Sequence, residues 1–159
     1  QIAAKTLEKI KAVESYVKNA FLGFAIPYID GGKEREYLPD YLVRLRTPKL
    51  REATLILEIT GFSKDKALKR WAVNERWLPA VNNARSKLGL SPWYFAEIDE
   101  IDDIKPRLTR CIQGIVDEID AAPDTLREAL QLLASLPDDF YPEGRHDLPE
   151  PPIAPLDLD

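Results

Sequence analysis

A carboxylate inside a strongly apolar run constrains this chain more than any other feature. Residues 54–60 read Thr-Leu-Ile-Leu-Glu-Ile-Thr, a composition typical of a β-strand. Because alternate side chains of a strand share a face, Glu58 is expected to lie on the same side as Ile56 and Thr60. A charged group at such a position is costly unless it is paired or binds a cation. The run therefore predicts an acid that is at least half buried and has a partner.

A second carboxylate, Asp40, lies in another apolar and aromatic run, residues 37–45. A polar connector, residues 46–53, joins the two runs, and its proline and charges suit a hairpin turn. If the runs pair, Asp40 and Glu58 converge on one hard cation, which wants oxygen ligands at about 2.0–2.1 Å when it is Mg²⁺. We therefore predict a site for Mg²⁺ or Mn²⁺ at Asp40 and Glu58.

The array Pro39-Asp40…Glu58-x-Thr60 looks like the PD-(D/E)xK nuclease motif. Together with the segments around it, it resembles the C-terminal nuclease domain of the restriction subunit of type III restriction enzymes and related helicase-nucleases. The resemblance covers about three quarters of the chain, residues 6–120. The segments that carry it are Ser15-Tyr16-Val17-Lys18-Asn19, Gly23-Phe24-x-Ile26-Pro27-Tyr28, Pro39-Asp40-Tyr41-Leu42-Val43-Arg44-Leu45, Leu57-Glu58-Ile59-Thr60-Gly61, Pro79-Ala80-Val81-Asn82-Asn83 and Trp93-x-Phe95-x-Glu97.

This resemblance implies a magnesium-dependent DNA endonuclease domain that hydrolyses the phosphodiester backbone, with Asp40 and Glu58 holding the cation. The partners it implies, besides DNA, are an ATP-dependent helicase or translocase domain and the modification subunit of the parent system. The expected fold is α/β, a restriction-endonuclease-like core of αβββαβ order with a mixed central sheet between helices on both faces. No phosphate loop of the GxxxxGK[ST] type is present, so we expect no ATP site in this chain.

The family pattern has lysine where this chain has Thr60. The next predicted helix, residues 64–77, carries Lys66 and Lys69 on one side, and a flexible lysine can place its charge at an oxyanion from a neighbouring element. We predict that Lys66 or Lys69 replaces the missing lysine. Two alternatives remain open: both lysines are solvated charges that hold DNA nonspecifically, or the domain is a catalytically inactive DNA-binding or scaffolding module.

Glu14 falls inside the apolar stripe of a predicted first helix, residues 3–19. We expect it to pair with Lys11 or Lys18 at the edge of that helix. The alternative is that Glu14 reaches the metal site as a third acid, as a first-helix acid does in some nucleases of this kind.

The rest of the pattern supplies the remaining elements. In order, it predicts a strand at 24–29, a hairpin turn at Asp30-Gly31-Gly32-Lys33, a helix break at Pro79 that opens a polar connection, a turn at Asn82-Asn83, a strand at 93–98 and a helix at 99–119 with Cys111 in the core.

Charge and composition bound the function further. The net charge is −5, but residues 44–87 carry a balance of +7 and residues 96–159 one of −12. The basic block brackets the predicted metal site, where a phosphate backbone would lie, although a solvated basic face is the alternative. One cysteine and one histidine, His146 near the C-terminus, leave the body without a disulfide, a Ser-His-Asp triad or a His-based zinc site. A cytoplasmic protein without a membrane span is expected.

From residue 121 the composition changes, and we divide the chain into a nuclease-like domain at 1–120 and a tail at 121–159. The tail combines a short predicted helix, 125–136, with six prolines and seven acids in the last 23 residues, a composition that favours disorder. Its segments 136–140 and 144–149 look like the C-terminal tails of antitoxins that wrap PIN-domain ribonuclease toxins. A toxin-binding protein acting through the tail is therefore a third alternative.

Overall fold

The computed structural model describes residues 2–59, 66–88, 90–99, 103–123 and 135. The chain divides into two compact units, Gln1–Ala122 and Pro123–Asp159, and all of the described helices and strands lie in the first. The predicted helix at 125–136, the tail segments that resemble antitoxins and the motif position Thr60 lie outside the described residues. None of the described helices is long and apolar enough to cross a membrane.

The fold is mixed α/β, built on a four-stranded mixed sheet in the order β1-β4-β5-β6. Strands β1, β4 and β5 pair antiparallel, whereas β5 and β6 pair parallel. A helical crossover joins β5 to β6, as a parallel pair requires. The strands are β1 (Val13–Lys18), β2 (Ile26–Asp30), β3 (Lys33–Tyr37), β4 (Tyr41–Arg46), β5 (Glu52–Ile59) and β6 (Trp93–Ile98), and the helices are α1 (Ile2–Leu7), α2 (Lys66–Trp71), α3 (Leu78–Leu88) and α4 (Ile104–Ala121).

Strand β5 lies inside the sheet and buries both of its faces. Leu55 and Leu57 pack in one core with α1 and α4, whereas Ile56 packs in a second core with Val73 and the β2–β3 hairpin. The alternation predicted for this run is therefore confirmed, and helices cover both faces of the sheet. Glu58 continues the face of Ile56, two residues further along the strand.

The hairpin at Asp30-Gly31-Gly32-Lys33 is confirmed. Asp30 and Lys33 are partners at the end of the β2–β3 pair. Gly31 and Gly32 both have positive φ, as a two-residue hairpin turn of type I′ requires. This pair forms a separate two-stranded sheet. The run predicted at 37–45 is consequently two elements, with Tyr37 closing β3 and Asp40 standing just before β4.

The long first helix predicted for residues 3–19 is wrong. Only Ile2–Leu7 is helical, and Val13–Lys18 forms an edge strand antiparallel to β4. The apolar spacing fitted a helix, but valine and tyrosine in this segment favour a strand when a neighbouring strand offers hydrogen bonds. Phe21, which continues the apolar spacing of that predicted helix, is fully exposed at 102%. The order αβββαβ is therefore corrected to five strands before α2.

Helix continues through Pro79, contrary to the predicted break. A π-helical segment, Ala72–Trp77, joins α2 to α3, and the N–H of Leu78 donates to the carbonyl of Val73 five residues back. A proline removes one backbone donor and crowds the preceding turn, and the wider π turn lies directly before Pro79, where that crowding falls. Residues 79–83 consequently lie on a helix and not in a polar connection.

Helix α4 closes the domain, as predicted, although it begins at Ile104 and not near residue 99. The loop between β4 and β5 forms hydrogen bonds with the C-terminal end of this helix. Thr47 Oγ1 donates to Asp120 Oδ1, Lys49 Nζ donates to the Asp120 carbonyl at 2.8 Å, and Arg51 donates to the Ala122 carbonyl at 2.7 Å. The bonds from Lys49 and Arg51 satisfy backbone carbonyls at the helix end, where intrahelical donors run out, and the bond from Thr47 holds the Asp120 side chain.

Candidate functional site

Asp40 and Glu58 come together where β4 begins and β5 ends. Asp40 Oδ2 accepts a 2.8 Å hydrogen bond from the backbone N–H of Ile59, the residue after Glu58. The Asp40 carbonyl accepts a second bond, also 2.8 Å, from the N–H of the buried Asn19. Asp40 is thus held through both its backbone and its side chain beside the end of β5.

The Glu58 carboxyl titrates above its ordinary range. Burial raises its pKa most, and the neighbouring Asp40 carboxylate raises it further. A hydrogen bond from Tyr37, the backbone N–H of Asp40 and the charge of Lys69 act in the opposite direction. Two carboxylates that repel each other in a half-buried setting are the arrangement that a bound cation relieves.

Tyr37 links the hairpin to this site. Its hydroxyl donates a 2.8 Å hydrogen bond to Glu58 Oε2, and its ring is buried in the second core. Burial, followed by the nearby Glu58 charge, raises the pKa of Tyr37 far above its ordinary value, so the hydroxyl remains a proton donor. The bond fixes the orientation of the Glu58 side chain.

Helix α2 places three basic side chains near Glu58, namely Lys66, Lys69 and Arg70. Lys69 Nζ lies 5.8 Å from the centroid of the Tyr37 ring, and its charge favours the ionised form of Glu58. Lys66 and Arg70 instead face β6, where both approach Glu97. The structure therefore brings both lysines predicted from the sequence to the site but gives them different partners.

Glu97 is the acid that sequence analysis did not assign. In the parallel β5–β6 ladder it is the register partner of Glu58, so the two side chains occupy neighbouring positions on one face of the sheet. Glu97 Oε1 lies 2.9 Å from Lys66 Nζ, and Glu97 Oε2 lies 3.8 Å from Arg70 NH1. Glu97 stood in one of the segments that carry the resemblance, but only the β5–β6 register reveals its neighbour.

A small cavity of about 20 Å³ lies between these groups. A site of this size and polarity holds about one water molecule. The side chains that line it are Tyr37, Glu58, Lys66, Lys69, Arg70, Phe95 and Glu97.

Glu14 does not join this site. It lies near the start of β1, and its carboxylate is 2.6 Å from Arg46 and 3.5 Å from Arg44, both on β4. The predicted pairing with Lys11 or Lys18 is wrong, because β1 is a strand whose neighbours come from β4. Glu14 lies opposite Arg44 and Leu45, four to five residues along β4 from Asp40, so about 13–17 Å separates the two acids.

A groove much larger than the cavity at Glu58 lies beside Glu14. Its volume is about 1110 Å³, and Lys5, Lys9, Lys11 and Lys105 are among the residues that line it, together with Glu14 and Arg46. Of the acids and lysines predicted for catalysis or metal binding, it contains Glu14 and no other described residue. Among the described residues that line it, Glu14 is the one acid, so no pair of carboxylates like that of Asp40 and Glu58 forms there.

Asn82, for which the sequence indicated a turn, ties α3 to β6. Its side-chain amide donates to the Trp93 carbonyl and accepts from the Trp93 N–H, with both bonds at 2.9 Å. Trp93 stacks on Phe24 with ring centroids 5.9 Å apart and meets Trp77 edge to face at 5.2 Å. The role of Asn82 is therefore to position the first residue of β6. Asn83 is exposed.

Among residues 2–59, 66–88, 90–99 and 103–123, no three histidine, cysteine or acidic side chains come close enough to hold a metal ion together. A pair of carboxylates is nevertheless compatible with Mg²⁺, which usually keeps several waters and binds through one or two carboxylates plus substrate phosphates. Each ionised carboxylate offers about four lone-pair positions. Asp40 and Glu58 therefore retain oxygen positions beyond their bonds to Ile59 and Tyr37.

Comparisons of this chain with protein-family models, with curated proteins and with solved structures gave no match. Fold and site together define the class: a mixed α/β domain with a half-buried pair of acids, flanked by lysines, at one end of its central sheet.

Proposed function

We propose that this domain is a metal-dependent DNA endonuclease with a restriction-endonuclease-like core. Its active site, formed by Asp40 and Glu58, hydrolyses phosphodiester bonds of DNA. One observation carries the proposal. Two carboxylates meet at the adjoining ends of β4 and β5, and a lysine from the following helix stands beside them over Tyr37. Acids that bind a divalent cation and a cation that faces the developing phosphoryl charge are the groups that phosphodiester hydrolysis requires.

Asp40 and Glu58 would hold Mg²⁺ or Mn²⁺. When bound, such a cation supplies positive charge at the phosphoryl oxygen and makes the attacking water more acidic. The residues fit this role because Glu58 carries an electrostatic penalty from burial and from Asp40 that an added positive charge offsets. Hydrogen bonds from Ile59 and Tyr37 hold the two carboxylates in fixed orientations, so little ordering remains to be done on binding.

Lys69 takes the role of the lysine that the motif lacks. It is the lysine of α2 whose charge acts on Glu58, and the Tyr37 ring supports its ammonium through a cation–π contact. Its task is to place a positive charge near the non-bridging phosphate oxygens as negative charge accumulates on them. Lys66, in contrast, is bound to Glu97.

The test is nicking of supercoiled plasmid DNA by the purified protein in Mg²⁺ or Mn²⁺, with EDTA as the negative control. Asp40→Asn is the matched variant, because its amide oxygen keeps a hydrogen-bond acceptor for the Ile59 N–H while the charge is lost. We expect cation-dependent nicking by the wild type and none by Asp40→Asn. Absence of nicking by the wild type, also after fusion to an ATP-dependent helicase or translocase domain of the proposed parent system, would refute the enzyme assignment.

A catalytically inactive DNA-binding or scaffolding module is the second proposal. One observation favours it: Glu97 binds Lys66, and Tyr37 already donates to Glu58, so part of the charge near the site is satisfied within the protein. This module would bind DNA in a salt-dependent manner without cutting it. Salt-dependent binding together with failure to nick in either metal supports this alternative. The modification subunit remains a proposed partner under both.

A further inference from the structure

We propose that Glu97 is a positioning residue, which holds Lys66 and Arg70 against β6 and thereby leaves Lys69 as the cation of α2 that faces Glu58. The inference rests on the proposed nuclease function and adds to it a residue that touches neither the cation nor the phosphate. Glu97 acts through the three basic side chains of one short helix. Its carboxylate determines which of them reach the Glu58 side of the cavity.

Helix α2 depends on side-chain anchors. It has six residues, none of them buried, and it runs directly into the π-helical segment Ala72–Trp77, whose Ala72 and Val73 are buried in the second core. Its two largest apolar side chains, Leu68 and Trp71, are 42% and 51% exposed. Apolar burial anchors this continuous helix from Ala72 onward, so polar contacts are what hold its first turns, residues 66–71, against the sheet.

Glu97 supplies such an anchor. Its side chain is 11% exposed, and its two carboxylate oxygens lie 2.9 Å from Lys66 Nζ and 3.8 Å from Arg70 NH1. Residues four apart in a helix stand above one another, so one carboxylate fixes two successive turns. Because Glu97 is shielded from water, its ion pair with Lys66 contributes more to stability than an exposed ion pair does.

The arrangement also separates the cations. Lys69 follows Lys66 by three residues, and its ammonium stands over Tyr37 next to Glu58. Without the Glu97 carboxylate, the acid that remains near Lys66 on the β6 side, among the described residues, is Asp99, at 3.9 Å and 57% exposed. Glu58, which lines the same cavity as Lys66 and Arg70, then attracts both of them. They would compete there with Lys69 and with a divalent cation.

The experiment compares Glu97→Gln, which removes the charge and keeps the shape, with Asp99→Asn as control. Asp99 also approaches Lys66, but from an exposed position. We expect Glu97→Gln to speed hydrogen exchange of the amides of residues 66–77 and to lower the cleavage rate at saturating DNA by about 10- to 100-fold, the scale of a small misplacement of a reacting group. KM should change little. Asp99→Asn should alter neither quantity, and Glu97→Asp should restore part of both.

A double variant separates positioning from an independent contribution. If Glu97 acts through Lys69, then Glu97→Gln combined with Lys69→Ala is no slower than Lys69→Ala alone. Equal slowing in both backgrounds would overturn the inference, as would unchanged hydrogen exchange and an unchanged rate in Glu97→Gln.

The hydrogen-exchange measurement does not require the protein to cleave DNA, so it tests the anchoring role separately from the nuclease function. If hydrogen exchange responds to Glu97→Gln while the wild type cuts no DNA, the anchoring role of Glu97 stands and the nuclease function fails. If hydrogen exchange does not change and the wild type cuts no DNA, both proposals fail.

Discussion

The hydroxyl of Tyr37 donates a 2.8 Å hydrogen bond to Glu58 Oε2 and so joins the β2–β3 hairpin to the end of the central strand. The bond orients the carboxylate that stands beside Asp40. The same aromatic ring supports the ammonium of Lys69. One residue of the hairpin therefore holds both an acid and a cation of the proposed site in place.

Asp40→Asn and Glu58→Gln should each weaken Mn²⁺ binding by at least about tenfold, because each removes one of the two charged oxygen ligands that we propose for the cation. Isothermal titration calorimetry measures this effect. Asp40→Ala should in addition lower the free energy of unfolding by about 1–3 kcal/mol, since it leaves the Ile59 N–H without its acceptor. Equal Mn²⁺ affinity in wild type and both charge-neutral variants would contradict the metal assignment.

Lys69→Ala should lower the cleavage rate at saturating DNA by about 10²–10³-fold, the usual loss when one transition-state charge donor is removed. Lys66→Ala should lower it less, because Lys66 is bound to Glu97. Lys87→Ala, an exposed cation on α3, is the control for general loss of DNA affinity. If Lys69→Ala weakens binding in a salt-dependent way but leaves the saturated rate unchanged, Lys69 is only a phosphate contact.

Glu58→Gln should stabilise the protein at neutral pH in the absence of divalent cations. The pKa of Glu58 is raised in the folded state, so stability from this group is present below its unfolded pKa of about 4.3 and is lost as the pH rises through the folded value. Glutamine has no charge to bury. Thermal unfolding from pH 4 to 8 in EDTA should show a melting-temperature advantage for Glu58→Gln that grows with pH. The exposed Glu75→Gln is the control, and an advantage independent of pH would count against this account.

Asn82→Ala should lower the free energy of unfolding by about 1–3 kcal/mol, because both polar groups of the Trp93 backbone lose their side-chain partner. Asn83→Ala, at the next and exposed position, should change stability by no more than about 0.5 kcal/mol. Chemical denaturation of the two variants makes the comparison. Similar losses in both would mean that the Asn82 bonds contribute little.

A chain that ends at Pro123 should melt at a higher temperature than one that ends at Ile119. The shorter chain loses the bonds from Thr47 and Lys49 to Asp120 and the bond from Arg51 to Ala122, each worth about 1 kcal/mol. Both chains lack the acidic tail, which should repel phosphate, so the 1–123 chain should bind DNA at least as tightly as the full chain. Calorimetric melting and a DNA titration measure these quantities. Equal melting temperatures for the two truncations would show that the helix end is not held by the β4–β5 loop.

The sequence by itself determined the features whose signals are local. Alternation in residues 54–59 placed Glu58 on the face of Ile56, and the two glycines after Asp30 required a hairpin turn. Apolar residues on both sides of a polar connector predicted that β4 and β5 pair, which brings Asp40 to Glu58. Each of these follows from a period or a turn that a few neighbouring residues specify.

Only the tertiary structure decided the rest. Val13–Lys18 became a strand because β4 offered its edge, although the apolar spacing alone fitted a helix. Glu97 became the neighbour of Glu58 because the helical crossover set the parallel register of β6. Lys66 and Lys69 looked equivalent in sequence, yet the first meets Glu97 and the second stands over Tyr37. These outcomes depend on contacts between residues far apart in the chain, and no local period encodes which distant partner a side chain will meet.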